Sequence, residues 1–160
     1  MRLQAIAVGR LKAGAERDLC SRYLARARLS ARGVGLAGVD MRELEESRAR
    51  RAEDRRGEEA RAIAEHLPPG ARVVALDERG RHMTSAAFAA DIGAARDRGA
   101  PSYCLVIGGP DGLDEAFVAG AALALAFGAM TWPHQLARVM LAEQIYRAIT
   151  ILSGHPYHRA

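Results

Sequence analysis

The chain carries glycines and polar side chains suited to a ligand site close to its C-terminus. The run IGGPDGL places Gly108 and Gly109 directly after an apolar segment, and residues 155–159 read HPYHR. Glycines after a strand let a ligand approach the main chain, because no Cβ holds it away. A histidine can accept a proton near neutral pH, and an arginine can contact a phosphate or a developing negative charge. Together these residue types indicate a binding site.

A second segment of small residues lies between these two motifs. Residues 127–132 read FGAMTW, and Pro133 follows at a position where it can begin a helix. Small side chains leave room for a ligand, and free backbone N–H and C=O groups can read the edge of an adenine ring. Two alternatives stay open from the residues alone: the segment is a buried edge of the sheet, and the glycines form a plain turn into a helix capped by Asp111 or Asp114.

Several classes of protein lose support from the sequence. The chain has no GxxxxGK[ST], GxGxxG or nucleophile-elbow motif, which argues against kinases, GTPases and classical dinucleotide enzymes. Cys20 and Cys104 lack metal-site spacing, so we expect buried, reduced thiols and no metal. No apolar run approaches the ~20 residues of a membrane span, and we expect a soluble, cytoplasmic protein. The net charge of +4 mildly favours an acidic partner such as RNA.

Alternating apolar and helical segments predict the scaffold that positions these residues. Predicted strands cover residues 3–8, 34–39, 73–76, 103–107 and 125–130, and predicted helices cover 15–29, 44–67, 84–98, 113–123 and 133–152. Nearly continuous apolar strands between helices indicate an α/β fold with a mostly parallel sheet and helices on both faces. The length of 160 residues suits one domain, residues 1–160. In such sheets ligands bind beyond the carboxyl ends of the strands, where the glycine turn lies.

Charge and apolar patterns add three expectations about the helices. The stretch from Arg48 to Arg61 interleaves arginines with acidic residues, which predicts a solvated helix of opposite charges. Glu143 and Arg147 are four residues apart on the last helix and are predicted to pair. Apolar residues ring that helix more fully than one sheet face needs, which indicates a partner helix. They are Leu136, Val139, Met140, Leu141, Ile145, Ile149 and Leu152.

Five segments in sequence order resemble one known family. They are LQAIAVGRLK from residue 3, VVALD from residue 73, IGGPDGL from residue 107, WPHQLARVMLAEQIYRA from residue 132 and HPYHR from residue 155. They resemble the RlmH methyltransferases of the SPOUT superfamily, which methylate N3 of a pseudouridine in bacterial large-subunit ribosomal RNA. The resemblance spans nearly the whole chain. It implies a C-terminal trefoil knot, which periodicity does not predict.

The resemblance also implies a cofactor, S-adenosylmethionine, bound in the knot. Carried over position by position, its contacts fall on Leu76, Gly108, Gly109, Phe127, Gly128, Ala129, Met130, Thr131 and Trp132. Relatives often carry Leu, Ser and Leu where this chain has Phe127, Gly128 and Met130, and many have Leu in place of Trp132. Backbone contacts to the cofactor survive these differences, whereas the side-chain shape of the adenine pocket differs.

The tail and the last helix receive roles from the same resemblance. His158 is the candidate for proton removal, Arg159 for contact with phosphate or developing charge, and Tyr157 for stacking on or bonding to the base. His134, Arg138 and His155 are expected to contact substrate, with His134 and Arg138 sharing one helix face near the pocket. The alternative for Tyr157 and His158 is that they dock the terminus onto the body of the protein.

The resemblance implies partners as well. We expect a homodimer in which the tail of one subunit completes the pocket of the other, acting on ribosomal RNA in the large subunit or the assembled ribosome. A basic rim for phosphate contact would contain Arg10, Lys12, Arg22, Arg26 and Arg28. Two alternatives remain: a non-catalytic ribosome-binding or assembly factor of the same fold, and a small-molecule α/β enzyme that binds a nucleotide phosphate at the glycine turn.

Overall fold

The computed structural model describes residues 1–157, which form five strands alternating with five helices. The strands are β1 (Arg2–Val8), β2 (Gly38–Leu44), β3 (Arg72–His82), β4 (Ser102–Ile107) and β5 (Leu123–Ala126). The helices are α1 (Ala15–Ala31), α2 (Ala52–Ala64), α3 (Ser85–Asp97), α4 (Glu115–Gly120) and α5 (His134–Leu152), and a short 3-10 turn (Arg32–Val34) follows α1. The predicted alternation of strands and helices is confirmed.

All five strands pair in parallel in the order β2-β1-β4-β3-β5. The centre of the sheet is β4, and all six of its residues are buried. Helices α1, α3 and α5 pack on one face, where Leu3 and Ala5 of β1 point, and helices α2 and α4 pack on the other, where Ile6 points. Successive strand residues face opposite sides, so both faces need helices. The predicted α/β fold with helices on both faces is therefore confirmed.

Two predicted strands were misplaced. The second, predicted at residues 34–39, is Gly38–Leu44, because Val34 belongs to the 3-10 turn and Gly35, with φ of +74°, ends that turn. The fifth, predicted at residues 125–130, is Leu123–Ala126. The chain leaves the sheet at Phe127, and Gly128 has φ of +111°, a conformation that L side chains rarely adopt. Residues 127–133 are consequently a loop.

Helix α2 also differs from its prediction. It was predicted to begin at Leu44, which instead ends β2, and it begins at Ala52. The intervening residues 45–51 connect strand and helix without regular structure. The predicted opposite charges are present where Arg51 pairs with Asp54 and Glu53 on the surface. Not every charged side chain of α2 belongs to this solvated surface, because Arg55 binds the carboxylate of Asp111.

Helix α5 is the longest helix of the described chain and packs against α1 and α3. Its buried face includes Leu141, Ile145 and Ile149. The predicted pair of Glu143 with Arg147 is confirmed, with Arg147 Nε 2.9 Å from Glu143 Oε1. This helix positions residues at both cavities described below.

Three expectations on thiols, membranes and metals can be compared with residues 1–157. Cys20 and Cys104 are buried free thiols, as predicted. Burial raises the pKa of Cys104 to about 11, which keeps this thiol protonated. Within the described chain, no helix is long and apolar enough to cross a membrane. The same residues contain no group of three or more His, Cys, Asp or Glu placed to hold a metal ion.

Candidate functional site

A cavity of about 820 Å³ lies at the carboxyl ends of β4 and β5, beside the middle of β3. We call it the strand-end cavity. Its walls are residues 76–79 within β3, residues 107–113 at and after the end of β4, and residues 125–128 and 130–134 at and after the end of β5, with Arg56, Glu115 and Ala137 at its margin. Parallel strands end at one edge of a sheet, so turns that are far apart in sequence converge there. The cavity occupies the place that the sequence predicted for a ligand.

The glycine turn after β4 forms one wall of this cavity. Gly109 and Gly112 pair across the turn, and the Gly112 amide donates to the Gly109 carbonyl at 3.0 Å. A Cβ on Gly108 would lie 2.6 Å from the backbone carbon of Gly112, closer than real Cβ atoms come. Position 108 therefore requires glycine, because a Cβ there would collide with the backbone of its own turn.

Asp114 ends this turn by capping α4, since its carboxylate accepts a hydrogen bond from the Phe117 amide at 3.0 Å. The plain-turn alternative is thus correct about Asp114, although the same turn also lines a cavity. Asp111 does not cap the helix. Its carboxylate instead binds the guanidinium of Arg55 on α2.

Strand β3 contributes a β-bulge to the wall of this cavity. The register of β3 against β5 shifts between Leu76 and Arg81, so residues 77–80 leave the ladder at the cavity edge. Asp77 accepts hydrogen bonds from the backbone amide and the side chain of Arg79. Burial alone would raise the pKa of Asp77, but these bonds outweigh it and hold the pKa below its usual range. Asp77 is therefore ionised at neutral pH and lines the cavity.

The loop after β5 forms the third wall. Thr131 hydrogen-bonds through Oγ1 to Glu78 Oε2 at 3.1 Å, which joins this loop to the β3 bulge. Met130 is 71% exposed and Trp132 is 41% exposed. Large apolar side chains that are exposed beside a cavity indicate a surface that binds a ligand or another protein.

The spacing of His134 and Arg138 predicted that both lie on one helix face near the pocket, but only His134 lines the cavity. His134 lines the strand-end cavity, and burial together with the nearby Arg138 lowers the pKa of its imidazole, so the ring is neutral at pH 7. Arg138 is fully buried. Its Nη1 lies 3.1 Å from Glu43 Oε1 and its Nη2 donates to the Val8 carbonyl. The guanidinium of Arg138 thus faces the ends of β1 and β2 inside the protein.

Residues 155–157 lie against α5. The Tyr157 ring packs on Tyr146 with centroids 4.7 Å apart, the Arg147 guanidinium lies 5.2 Å from its centroid, and its hydroxyl is 3.2 Å from Glu143 Oε1. Burial and the neighbouring Tyr23 and Glu143 raise the pKa of Tyr157 to about 12, so its hydroxyl stays protonated. His155 is exposed, and its Nδ1 accepts from the Tyr157 amide. His158 and Arg159 lie outside the described residues.

A second cavity, of about 550 Å³, lies on the helix side of β5. We call it the helix-side cavity; it is lined by Leu19 and Tyr23 of α1, residues 82–85, Phe88 of α3, residues 125–128, and Val139, Met140, Glu143 and Gln144 of α5. It shares residues 125–128 with the strand-end cavity. Tyr157, through its contact with Glu143, belongs to the surroundings of the helix-side cavity.

The structure thus brings together most of the predicted cofactor residues and separates the predicted substrate residues. The strand-end cavity is lined by Leu76, Gly108, Gly109, Phe127, Gly128, Met130, Thr131, Trp132 and His134. Ala129 belongs to the same loop without lining the cavity, and Arg138, His155 and Tyr157 lie elsewhere. Sequence reasoning missed the polar wall of Arg56, Asp77, Glu78, Arg79, Asp111 and Glu115. Asp77 directly follows a predicted strand, and this position could have indicated it. The β3 bulge and the contribution of α2 leave no pattern in the local sequence.

These features define an α/β protein with a ligand cavity at the carboxyl ends of its strands. A family profile described as "Predicted SPOUT methyltransferase" matches residues 1–158. Proteins named "Ribosomal RNA large subunit methyltransferase H" are similar over their full length, with 58% identity in Xanthobacter autotrophicus and 55% in Beijerinckia indica, covering all of both chains. The chain therefore belongs to the SPOUT methyltransferase family and, within it, to the RlmH family, which confirms the resemblance.

A solved structure is also similar, at greater distance. It is the SpoU methyltransferase AviRb from Streptomyces viridochromogenes, determined in complex with its cofactor AdoMet. The identity is 14% and the TM-score is 0.41, over 91% of this chain and 57% of that one.

Proposed function

We propose that the chain is an S-adenosylmethionine-dependent methyltransferase that modifies N3 of a pseudouridine in bacterial large-subunit ribosomal RNA. The observation that carries the proposal is the convergence of the β3 bulge and the turns after β4 and β5 on one cavity. Membership in a methyltransferase family supports the reaction class. The names of relatives 55–58% identical over the whole chain support the RNA substrate.

The strand-end cavity fits a nucleoside-sized cofactor. Its volume of about 820 Å³ lies within the range of small-molecule sites. The glycines that line the cavity, Gly108, Gly109 and Gly128, leave room for a flat ring or a ribose, and the carboxylates of Asp77 and Glu78 suit a ligand that carries positive charge. We assign cofactor binding to the predicted set of Leu76, Gly108, Gly109, Phe127, Gly128, Ala129, Met130, Thr131 and Trp132.

When bound, S-adenosylmethionine supplies a methyl group that its positively charged sulfur has already activated. The protein then has to align the acceptor nitrogen and remove its proton. The N3 proton of a uracil-type ring is weakly acidic, so we assign its removal to His158 as a neutral imidazole. Arg159 would contact phosphate or the developing charge, and Tyr157 would stack on or bond to the base.

Substrate contact is assigned to His134 and His155. His134 lines the strand-end cavity as a neutral ring, which can donate or accept a hydrogen bond to a base. His155 is exposed beside Tyr157. Arg138 is withdrawn from this role, because its guanidinium is buried against Val8 and Glu43.

We further propose a homodimer in which the tail of one subunit completes the strand-end cavity of the other, with the C-terminal part of a single domain (residues 1–160) threaded as a trefoil knot. Exposed Met130, Trp132 and Leu136 offer apolar surface beside the cavity. Residues 155–157 dock on α5 rather than in their own strand-end cavity. Activity should fall on dilution in step with dissociation of the dimer, and a fully active monomer would contradict this arrangement.

A ribosomal substrate would place the protein in the cytoplasm and require a basic contact surface. Arg22 and Arg26 are exposed on α1, whereas Arg10 already pairs with Glu45 and Arg28 Nε donates to the Val39 carbonyl. Lys12 is exposed as well, and we therefore expect Lys12, Arg22 and Arg26 to contribute most of the proposed rim. Ribosome binding should weaken steeply with added salt, and a flat salt response would count against phosphate contact.

The direct test combines labelled S-adenosylmethionine with ribosomes from cells that lack the native modification. The full chain is compared with a variant truncated before Tyr157, and any methyl group is mapped on the RNA. Incorporation at one large-subunit pseudouridine, lost on truncation, is the expected result. Ribosome binding without cofactor binding would favour the non-catalytic assembly factor, and cofactor binding without transfer to ribosomal RNA would indicate another substrate.

A further inference from the structure

Arg55 of helix α2 binds the glycine turn of the strand-end cavity through Asp111. Its Nε lies 2.6 Å from Asp111 Oδ2 and its Nη2 lies 3.0 Å from Asp111 Oδ1. The two planar groups therefore meet with two parallel hydrogen bonds, the geometry that fixes both distance and orientation. The side chains are 28% and 26% exposed, so solvent only partly screens them.

The same guanidinium is held from behind. Arg55 Nη1 donates to the carbonyls of Ala49 at 3.0 Å and Arg50 at 2.9 Å, in the connection between β2 and α2. Arg55 thus has bonds on both sides and cannot follow the turn if the turn moves. A side chain held in this way acts as a fixed support for Asp111.

Glu59, one helical turn along α2, backs the turn on its inner side. It is 6% exposed, and its Oε1 accepts a hydrogen bond from the Ser47 amide at 3.0 Å. A Cβ on Gly109 would meet both Glu59 Oε2 and Val8 Cγ1 at 3.2 Å. The turn is therefore enclosed on its inner side by Glu59 and Val8 and tied laterally by Arg55.

We propose that Arg55 and Asp111 form a positioning pair that fixes the glycine turn in the conformation that binds the cofactor; this inference rests on the proposed function. Three of the five residues 108–112 are glycines, which have the largest conformational freedom to lose. Without the pair, the turn would occupy several conformations. The apparent affinity for the cofactor would then be reduced in proportion to the fraction of molecules whose turn is in the binding-competent conformation.

The test measures S-adenosylmethionine binding by calorimetry in Arg55→Ala, Asp111→Asn and the double variant. Each single change should raise Kd about tenfold, as expected for a turn that is competent about one tenth of the time. The double variant should match the single ones, because both changes release the same turn. Arg55→Lys, which keeps the charge but loses the second hydrogen bond, should fall between Arg55→Ala and wild type. In methyl transfer, KM for the cofactor should rise while kcat at saturation stays within about twofold, since saturating cofactor restores the turn.

A matched control exists in the same protein. Arg72 and Asp91 form an equivalent two-bond pair, at 2.9 and 2.8 Å and with similar exposure, at the amino end of β3. Arg72→Ala should lower stability and leave Kd for the cofactor unchanged. Wild-type Kd in Arg55→Ala and Asp111→Asn, or an equal loss in Arg72→Ala, would overturn the positioning role while leaving the proposed function intact. Failure of the wild-type protein to bind the cofactor would instead overturn the proposed function.

Discussion

Arg138 of α5 lies 3.1 Å from Glu43 of β2, measured from Nη1 to Oε1; the Arg138 side chain is fully buried, whereas that of Glu43 is 31% exposed. The Glu43 carboxylate also accepts a hydrogen bond from the Leu11 amide at 2.8 Å, and Arg138 Nη2 donates to the Val8 carbonyl. This pair ties the first turns of α5 to the ends of β1 and β2. It therefore sets the position of the helix that carries His134 into the strand-end cavity.

Removing the carboxylate of this pair should destabilise the protein strongly. Glu43→Ala leaves the buried Arg138 guanidinium without this ion partner, and because the Glu43 side chain is 31% exposed the cost should be about 1–3 kcal/mol, below that of a fully buried pair. The free energy of unfolding in urea measures the effect. Arg51→Ala, which breaks the exposed pair with Asp54, is the control and should change stability far less. Equal losses in the two variants would show that burial does not decide the strength of the Arg138–Glu43 pair.

Glu59 should make stability fall as pH rises. Burial disfavours its carboxylate and raises its pKa, although the Ser47 amide opposes the shift. The folded state therefore binds the proton more tightly than the unfolded chain. The stabilisation from this group is complete below the ordinary glutamate pKa of about 4.3 and is lost as pH rises through the raised value.

Glu59→Gln removes this titration and keeps a side-chain oxygen to accept from the Ser47 amide. The variant should lose less stability than wild type between about pH 4.3 and 7, measured by urea unfolding across that range. Glu53→Gln, at an exposed position on the same helix, should keep the wild-type slope. An unchanged slope in Glu59→Gln would show that Glu59 binds its proton equally in both states.

Two glycine-to-alanine changes should have opposite signs. A Cβ on Gly80 would lie 2.7 Å from the Leu125 backbone, so Gly80→Ala forces β5 away from the β3 bulge and should cost roughly 1–3 kcal/mol. Gly57 lies within α2 with no described atom within 4 Å of such a Cβ, and Gly57→Ala should stabilise the helix by about 1 kcal/mol. Thermal unfolding of the two variants tests both, and a stabilising Gly80→Ala would contradict the close packing of β3 on β5.

The docked position of residues 153–157 should depend on the Tyr157 ring more than on its hydroxyl. Tyr157→Phe keeps the contact with Tyr146 and loses the bond to Glu143, so amide exchange at residues 153–155 should change little. Tyr157→Ala removes the ring and should accelerate that exchange several-fold. Leu29→Ala, at an exposed position on α1, serves as the control. Equal exchange in the Phe and Ala variants would show that the ring does not hold the tail.

The sequence predicted the centre of the sheet better than its edge and its supports. Strand β4 was placed well because all its residues are buried and apolar residues follow one another. Strand β2 was misplaced because Asp40, Arg42 and Glu43 interrupt its apolar residues, as charged residues do on edge strands. Contacts between distant positions gave no local pattern: Arg138 is 95 residues from Glu43. For the same reason the helix spacing predicted Arg138 beside the ligand, whereas its contacts with Glu43 and Val8 hold its guanidinium inside the protein.

The parts of the site that main chain forms were predictable from the sequence. The parts that depend on contacts between distant residues were not. Gly108 and Gly109 stand out because a turn after an apolar strand needs them. The tie between Arg55 and Asp111 joins positions 56 residues apart within a helix that otherwise shows ordinary surface charges. The β3 bulge depends on where β5 pairs, and residues 77–80 alone do not encode it.

Helix α5 contributes to both cavities from a single rod of fixed pitch. His134 lines the strand-end cavity, and Glu143 lines the helix-side cavity. The nine residues of separation correspond to about 14 Å along the axis. Adding or deleting one residue between them would turn one end by about 100° relative to the other. This stretch of the chain therefore cannot change in length during evolution without uncoupling the two cavities.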